Sequence, residues 1–217
     1  MSVAEVEFTS IESAATDTAS APARSRAETR RRLIAAGTEL FASQGLHGAT
    51  AARIARAAGV ATGTFYLHFP DKKALFREIA FAALAELRAR QARAAREAGD
   101  PAGEQRARIE ELLRFAEEKR ALVRVVFGRD QDASYVGEDL LSAIVAGIEE
   151  RLGERAAAGE LPDSVHPAVA AQAITGMTAR VVAWWVEDPS RVPREQVIET
   201  ILRMHPTRAG RAGDEAP

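Results

Sequence analysis

Residues 50–75 read TAARIARAAGVATGTFYLHFPDKKAL, and the way this stretch divides into helices decides the fold. Thr50 is placed to cap a helix, its hydroxyl accepting from a backbone N–H of the first turn. The run that follows has room for two turns before Gly59, and its small residues permit close contact with a neighbour. Val60-Ala61 bridges to a third short helix, Thr62 to Phe69, which Pro70 terminates. Asp71 can then cap a long helix running from Lys72 to about Glu97. Two short helices about a Gly-Val turn form the compact arrangement that lays one helix in the major groove while its predecessor spans the backbone. On a wheel of the third helix, Phe65 and Phe69 lie together. The opposite side presents Gly63 and Leu67, flanked by Thr62 and Tyr66 on one edge and Thr64 and His68 on the other. An ordinary surface helix would carry Lys or Glu on that side; this set suits close approach to a groove.

Upstream, Ser25 and Glu28 have capping-box spacing, which predicts a first helix over about 26–44 with Leu33, Ile34, Gly37, Leu40 and Phe41 on its inner face and Gly45 as its stop. Residues 1–23 lack a sustained period and read as a disordered tail. Downstream, residues 99–103 (GDPAG) form the clearest break, after which helical periods continue without a competing strand pattern. A second break at Gly159–Pro162 precedes a helix from Pro167 to about 187, and Pro193 opens the last, to about Met204. The expected plan is all-α: a tail (1–23), a three-helix DNA-binding unit (24–75), a helical ligand-binding and dimerisation domain (76–206) and a frayed end (207–217).

The net charge of −2 conceals an asymmetry. Residues 24–80 hold ten Lys and Arg against four acids, +6, so the rest totals −8. A small basic unit joined to a larger acidic one fits a polyanion partner for the first. With no cysteine there is no disulfide framework, thiolate zinc site or thiol redox chemistry. The first 23 residues carry four acids, no Lys or Arg and no signal-peptide core, and no run of ~18 apolar residues occurs, so a soluble cytoplasmic protein is expected. His47, His68, His166 and His205 are scattered without i, i+4 metal spacing, and no phosphate-cradling Gly-rich loop is present, which argues against an enzyme and predicts neither metal nor cofactor.

The run Thr50, Ile54-Ala55, Ala58-Gly59-Val60, Gly63-Thr64-Phe65-Tyr66, His68-Phe69, Lys72 and Leu75 closely resembles the DNA-binding module of tetracycline-repressor (TetR) family regulators, strongly over residues 28 to about 80 and beyond them only in helix count and length. The resemblance implies that Thr50 and Tyr66 hold phosphates, that Thr64 and His68 line the DNA side, and that Lys72 anchors the backbone. A lysine in a helix's first turn opposes the macrodipole by about 0.3–1 kcal/mol, so a polyanion gives it a purpose. Arg30, Arg31 and Arg32 are also oddly placed for the dipole and could reach a flanking phosphate or minor groove, or simply be solvated. Leu67 stands where the family often places a base contact, yet leucine can only pack on thymine methyls or sugar; Thr62 is the better polar reader, with Gly63 allowing close approach. The sequence departs from the family at Ala51, Ala52 and Ala61, which leaves the third helix without an obvious N-cap.

One such unit contacts a half-site, and pairing two about 34–36 Å apart on duplex DNA requires a two-fold homodimer. Val169, Ala173, Gly176, Val197, Ile198, Ile201 and Leu202 mix small and large apolar residues as a four-helix interface would, and the resemblance implies dimerisation through these two helices; a role in closing the monomer core stays open. Phe115, Phe127, Tyr135, Met177, Arg180 and Trp184 are candidate walls for a mostly apolar effector pocket with one orienting charge. The expected function is a repressor of a palindromic operator, released by a small apolar effector, with activation open. The rival reading is a helical small-molecule-binding or interaction protein without specific DNA binding.

Overall fold

The computed structural model describes residues 21–127 and 134–205, and helix accounts for all their regular structure. In chain order the elements are α1 (Ala21–Gly48), α2 (Ala51–Ala57), α3 (Thr62–His68), α4 (Lys72–Ala98), α5 (Pro101–Glu118), α6 (Arg120–Phe127), α7 (Ser134–Ala157), α8 (Pro167–Glu187) and α9 (Arg194–Met204). Among the described residues no helix is long and apolar enough to cross a membrane.

The caps expected at α2 and α4 form. Thr50 Oγ1 accepts from Arg53 N at 3.3 Å, and Asp71 Oδ1 accepts from Ala74 N at 2.7 Å. Ala61 offers α3 no side-chain cap. Gly45 sits at φ 68°, and its left-handed backbone bends α1 in its last turn where a stop was expected. The start of α1 differs from expectation. The helix is already under way at Ala21, so Ser25 and Glu28 lie within it and form no capping box; Glu28 instead pairs with Arg31 one turn on. Of the expected tail and frayed end, residues 1–20 and 206–217 lie outside the described residues.

Three apolar clusters hold the helices. The first gathers Leu33, Phe41, Ile54, Phe65 and Phe76 from α1–α4 and continues into Val126 of α6 and Val136 and Leu140 of α7, so the N-terminal unit and the body share one core. The Phe41 and Phe76 rings meet edge to face at 5.1 Å. α4 runs unbroken across position 75/76, where a domain boundary was expected. The second cluster joins α5, α8 and α9 through Leu113, Trp185, Ile198 and Ile201; the third joins α7 and α8 through Leu152, Ala171 and Ile174. α6 lies among α1, α7 and α8. Its backbone passes so close to α7 that a Cβ on Gly137 would stand 2.7 Å from the Val126 carbonyl oxygen.

Candidate nucleic-acid interface and ligand cavity

Phe65 is fully buried and Phe69 3% exposed, which orients α3 and leaves its other side free. On that side Leu67 is 73% and Tyr66 56% exposed, Thr62 and Gly63 are exposed, and Thr64 and His68 are half-buried at the edges. A Cβ on Gly63 would meet no atom within 4 Å, so the bare backbone there faces open space. Thr50, exposed at the head of α2, completes the group. The apolar anchor thus faces inward and every small or polar side chain of the helix outward. Helix α3 can enter a groove without displacing any residue of its own core.

Lys72 is the residue expected to anchor the DNA backbone. Its ammonium is half-buried and donates to the carbonyl oxygens of Leu46 at 2.7 Å, Ala49 at 3.1 Å and His47 at 3.5 Å, filling all three of its N–H donors within the turn between α1 and α2. It thereby neutralises the carbonyl end of α1 and fixes the approach to Thr50. The consecutive arginines 30–32 of α1 also have internal partners: Arg30 pairs with Glu78 and lies over the Phe69 ring, Arg31 pairs with Glu28, and Arg32 donates to the carbonyls of Ala58 and Gly59. Arg32 clasps the turn between α2 and α3, where Gly59 at φ 66° leaves room for its guanidinium. The sequence offered no signal for this clasp beyond the glycine. The Arg26 and Arg56 side chains are exposed and make no hydrogen bond or ion pair among the described residues. Burial, then the nearby cations of Arg26 and Arg30, hold the His68 pKa below its ordinary value.

Behind this face an open cavity of about 2030 Å³ lies among α4, α5, α6, α7, α8 and α9. Of the six expected wall residues, Phe115 and Phe127 line it. Met177, Arg180 and Trp184 do not: α8 turns Ile174, Thr175, Thr178, Ala179 and Val182 toward the cavity, and the other three belong to different faces. Met177 packs against the second core cluster, Arg180 is exposed, and Trp184 is 41% exposed with Arg191 over its ring. Tyr135 is in α7, with its side chain outside the described residues.

The expected dimer residues separate in the same way. Val169, Ala173 and Gly176 are exposed and share a stripe of α8 with Arg180 and Trp184. Val197, Ile198, Ile201 and Leu202 are buried in the monomer's own second cluster, because α9 turns its apolar face to α5 and leaves Gln196, Thr200 and Arg203 outside. Sequence reasoning also passed over the cavity's arginines, among them Arg88, Arg108 and Arg151. Their signal was a charge inside an apolar stripe, as where Arg151 follows Ile144 and Ile148 at helical spacing.

A family model described as "Bacterial regulatory proteins, tetR family" matches residues 33–79, from the buried part of α1 to the second turn of α4. Over 52 residues the chain is 44% identical to the HTH-type transcriptional regulator AcrR of Shigella flexneri, a match covering 24% of this chain and 24% of that protein. With the HTH-type transcriptional regulator YdgC of Bacillus subtilis it shares 26% identity over 187 residues, 82% of this chain and 94% of the relative. The structure of FadR from Thermus thermophilus, a TetR-family repressor solved with lauroyl-CoA, overlays with a TM-score of 0.66 at 23% identity, covering 87% of this chain and 97% of that one. At that identity the likeness is one of fold.

Proposed function

We propose that this chain is a ligand-responsive transcriptional repressor of the TetR family, a cytoplasmic DNA-binding protein rather than an enzyme; the match of residues 33–79 to the model of that family of bacterial regulators supports it. Two copies present their α3 helices to the half-sites of a palindromic operator, and an effector held in the cavity releases them. The observation that carries this reading is the outer side of α3, where Tyr66 and Leu67 stand exposed beside a bare Gly63 and no acid or lysine intrudes. In this reading Tyr66 and Thr50 hold phosphates, Thr62 reads a base edge, Leu67 packs on thymine methyls, and Thr64 and His68 line the groove. Lys72 acts from behind, holding the turn that carries Thr50. Residues 24–75 form the DNA-reading unit and the remainder the sensor.

The exposed stripe of α8 supports a two-fold pairing of protomers through Val169, Ala173 and Gly176, with Trp184 at its end. An effector that binds better to a dimer with its reading heads at the wrong spacing draws the population away from DNA by that difference in affinity.

Fluorescence anisotropy of the full chain against its own promoter and against random duplex of equal length, at several salt concentrations, tests the reading. Two protomers per promoter site, a steep salt dependence and at least ~10³-fold preference over random duplex are expected. Equal, weak binding to every duplex, including those recovered by genome-wide selection, would sink it.

A further inference from the structure

The sensor half is acidic overall: residues 81–217 carry 19 Lys and Arg against 23 acids, −4. Its cavity has the opposite balance. Six arginines line it (Arg88, Arg106, Arg108, Arg151, Arg155 and Arg203) against three glutamates, Glu104, Glu160 and Glu199. Two of the glutamates are taken: Arg106 pairs with Glu199 at 2.6 Å and Arg155 with Glu160 at 3.4 Å. Arg88, Arg108 and Arg151, from α4, α5 and α7, form no ion pair among the described residues.

Their setting is built for convergence. Arg88 donates to the Ala143 carbonyl at 2.6 Å and Arg151 to the Gly147 carbonyl at 2.7 Å, on successive turns of α7. Gly147 makes the approach possible, since a Cβ there would stand 3.1 Å from one Arg88 nitrogen and 3.9 Å from one Arg151 nitrogen. Each guanidinium has five N–H donors, so most remain unused. Arg151 is reachable from the cavity yet crowded enough that desolvation, followed by the charges of Arg108 and Arg88, lowers its pKa despite Glu150 and Glu154 nearby. Like charges brought together with so little compensation raise the energy of the empty site, and an anion relieves it.

The rest of the cavity is apolar, with Leu112, Ile144, Ile148 and Ile174 in its walls. Thr175, 4% exposed and part of the same wall, has a buried hydroxyl oxygen without a hydrogen-bond partner among the described residues. The volume of about 2030 Å³ exceeds the ~300–1,000 Å³ of an ordinary small-molecule pocket. We propose that the cavity takes an anionic amphiphile, its carboxylate or phosphate head held by Arg88, Arg108 and Arg151 and its long apolar chain laid along α5, α7 and α8. This rests on the reading of the cavity as an effector site and gives that effector its chemical class.

Calorimetric titration of the full chain without DNA, at fixed ionic strength, compares lauroyl-CoA, laurate and dodecanol, which share a chain length and differ in the head. At least one anionic probe is expected to bind ten or more times tighter than dodecanol. Preference for the thioester identifies phosphate as the head, and equal or better binding of laurate identifies carboxylate. Arg108→Gln, at a side chain without internal hydrogen bonds, should weaken the anionic probe about 10- to 100-fold and leave dodecanol unchanged. Arg151→Gln should act likewise, with unaltered promoter binding as the check on its folding. Dodecanol binding as tightly as both anions, absence of binding by either anion, or an Arg108→Gln variant with wild-type affinity would each overturn the proposal. An amphiphile that binds through these arginines without releasing DNA would leave the site standing and remove the effector reading instead.

Discussion

In the N-terminal unit two long cationic side chains latch turns of the protein's own backbone, Arg32 across the α2–α3 turn and Lys72 across the α1–α2 turn. In the body, Arg88, Arg108 and Arg151 border an open volume. The cores differ in the same sense. Leu33, Phe41, Ile54, Phe65 and Phe76 pack in one cluster, whereas α5, α8 and α9 and the far part of α7 place their buried apolar residues in two others around a cavity. A reading head has to present one shape, and internal latches with a filled core enforce it. A sensor has to change with its occupant, and it can do so because part of its interior is unfilled.

The contrast is tested most severely in the two cores. Phe65→Ala empties a fully buried ring site and is expected to cost about 3–5 kcal/mol. Ile148→Ala, at a half-buried side chain that already borders the cavity, should cost ~1 kcal/mol, because part of its surface has no packing to lose. Similar losses in urea unfolding would mean that the cavity wall is packed as tightly as the reading head.

Next in size is Lys72→Met, which keeps the stem and removes the donors to three carbonyls; it should lower stability by about 1–3 kcal/mol and weaken binding to all duplexes alike. A variant of unchanged stability but poor DNA affinity would return Lys72 to direct phosphate contact. Smaller still are the caps. Thr50→Ala should cost about 1 kcal/mol, and Ala61→Ser, which supplies α3 with the cap it lacks, should gain about half as much in thermal unfolding.

The smallest expected effect is electrostatic. Burial and the nearby cations of Arg26 and Arg30 hold the His68 pKa below its ordinary value in the free protein, and phosphates beside it in a DNA complex would favour its charged form and raise the pKa. Binding then takes up a proton, so DNA affinity should rise about two- to threefold as pH falls from 7.5 to 6, a trend that His68→Gln should flatten.

The reading head was legible because each of its local signals has one physical outcome. Thr50 and Asp71 cap, Pro70 stops, and the Phe65–Phe69 spacing fixes which side of α3 faces in. The body was legible as helices but not as faces. On α9 the periodicity of Val197, Ile198, Ile201 and Leu202 shows an apolar stripe without saying whether it meets α5 or a second protomer, and it meets α5. On α8 the aromatic and Met residues suggested a pocket wall, yet Ile174, Thr178 and Val182 occupy that side and Trp184 faces out. Such choices depend on contacts between helices far apart in the chain, which no local pattern encodes. Arg32 and Lys72 show the same limit, for their partners lie 23–27 residues away.

Helix α6 gives the two regions a common wall. Val126 belongs to the closed cluster of α1–α4, and Leu122, Val123, Val126 and Phe127 line the cavity. Whatever fills the cavity therefore presses on side chains that also seat α1, and Gly137, tight against the Val126 carbonyl, leaves α6 little freedom to move independently of α7. The influence has to run both ways. In a closed thermodynamic cycle, the factor by which the occupant lowers affinity for the operator equals the factor by which the operator lowers affinity for the occupant. On the proposed function, a promoter is thus also a negative effector of the cavity, and the protein seated on DNA should take up its ligand at higher concentrations than the free protein does.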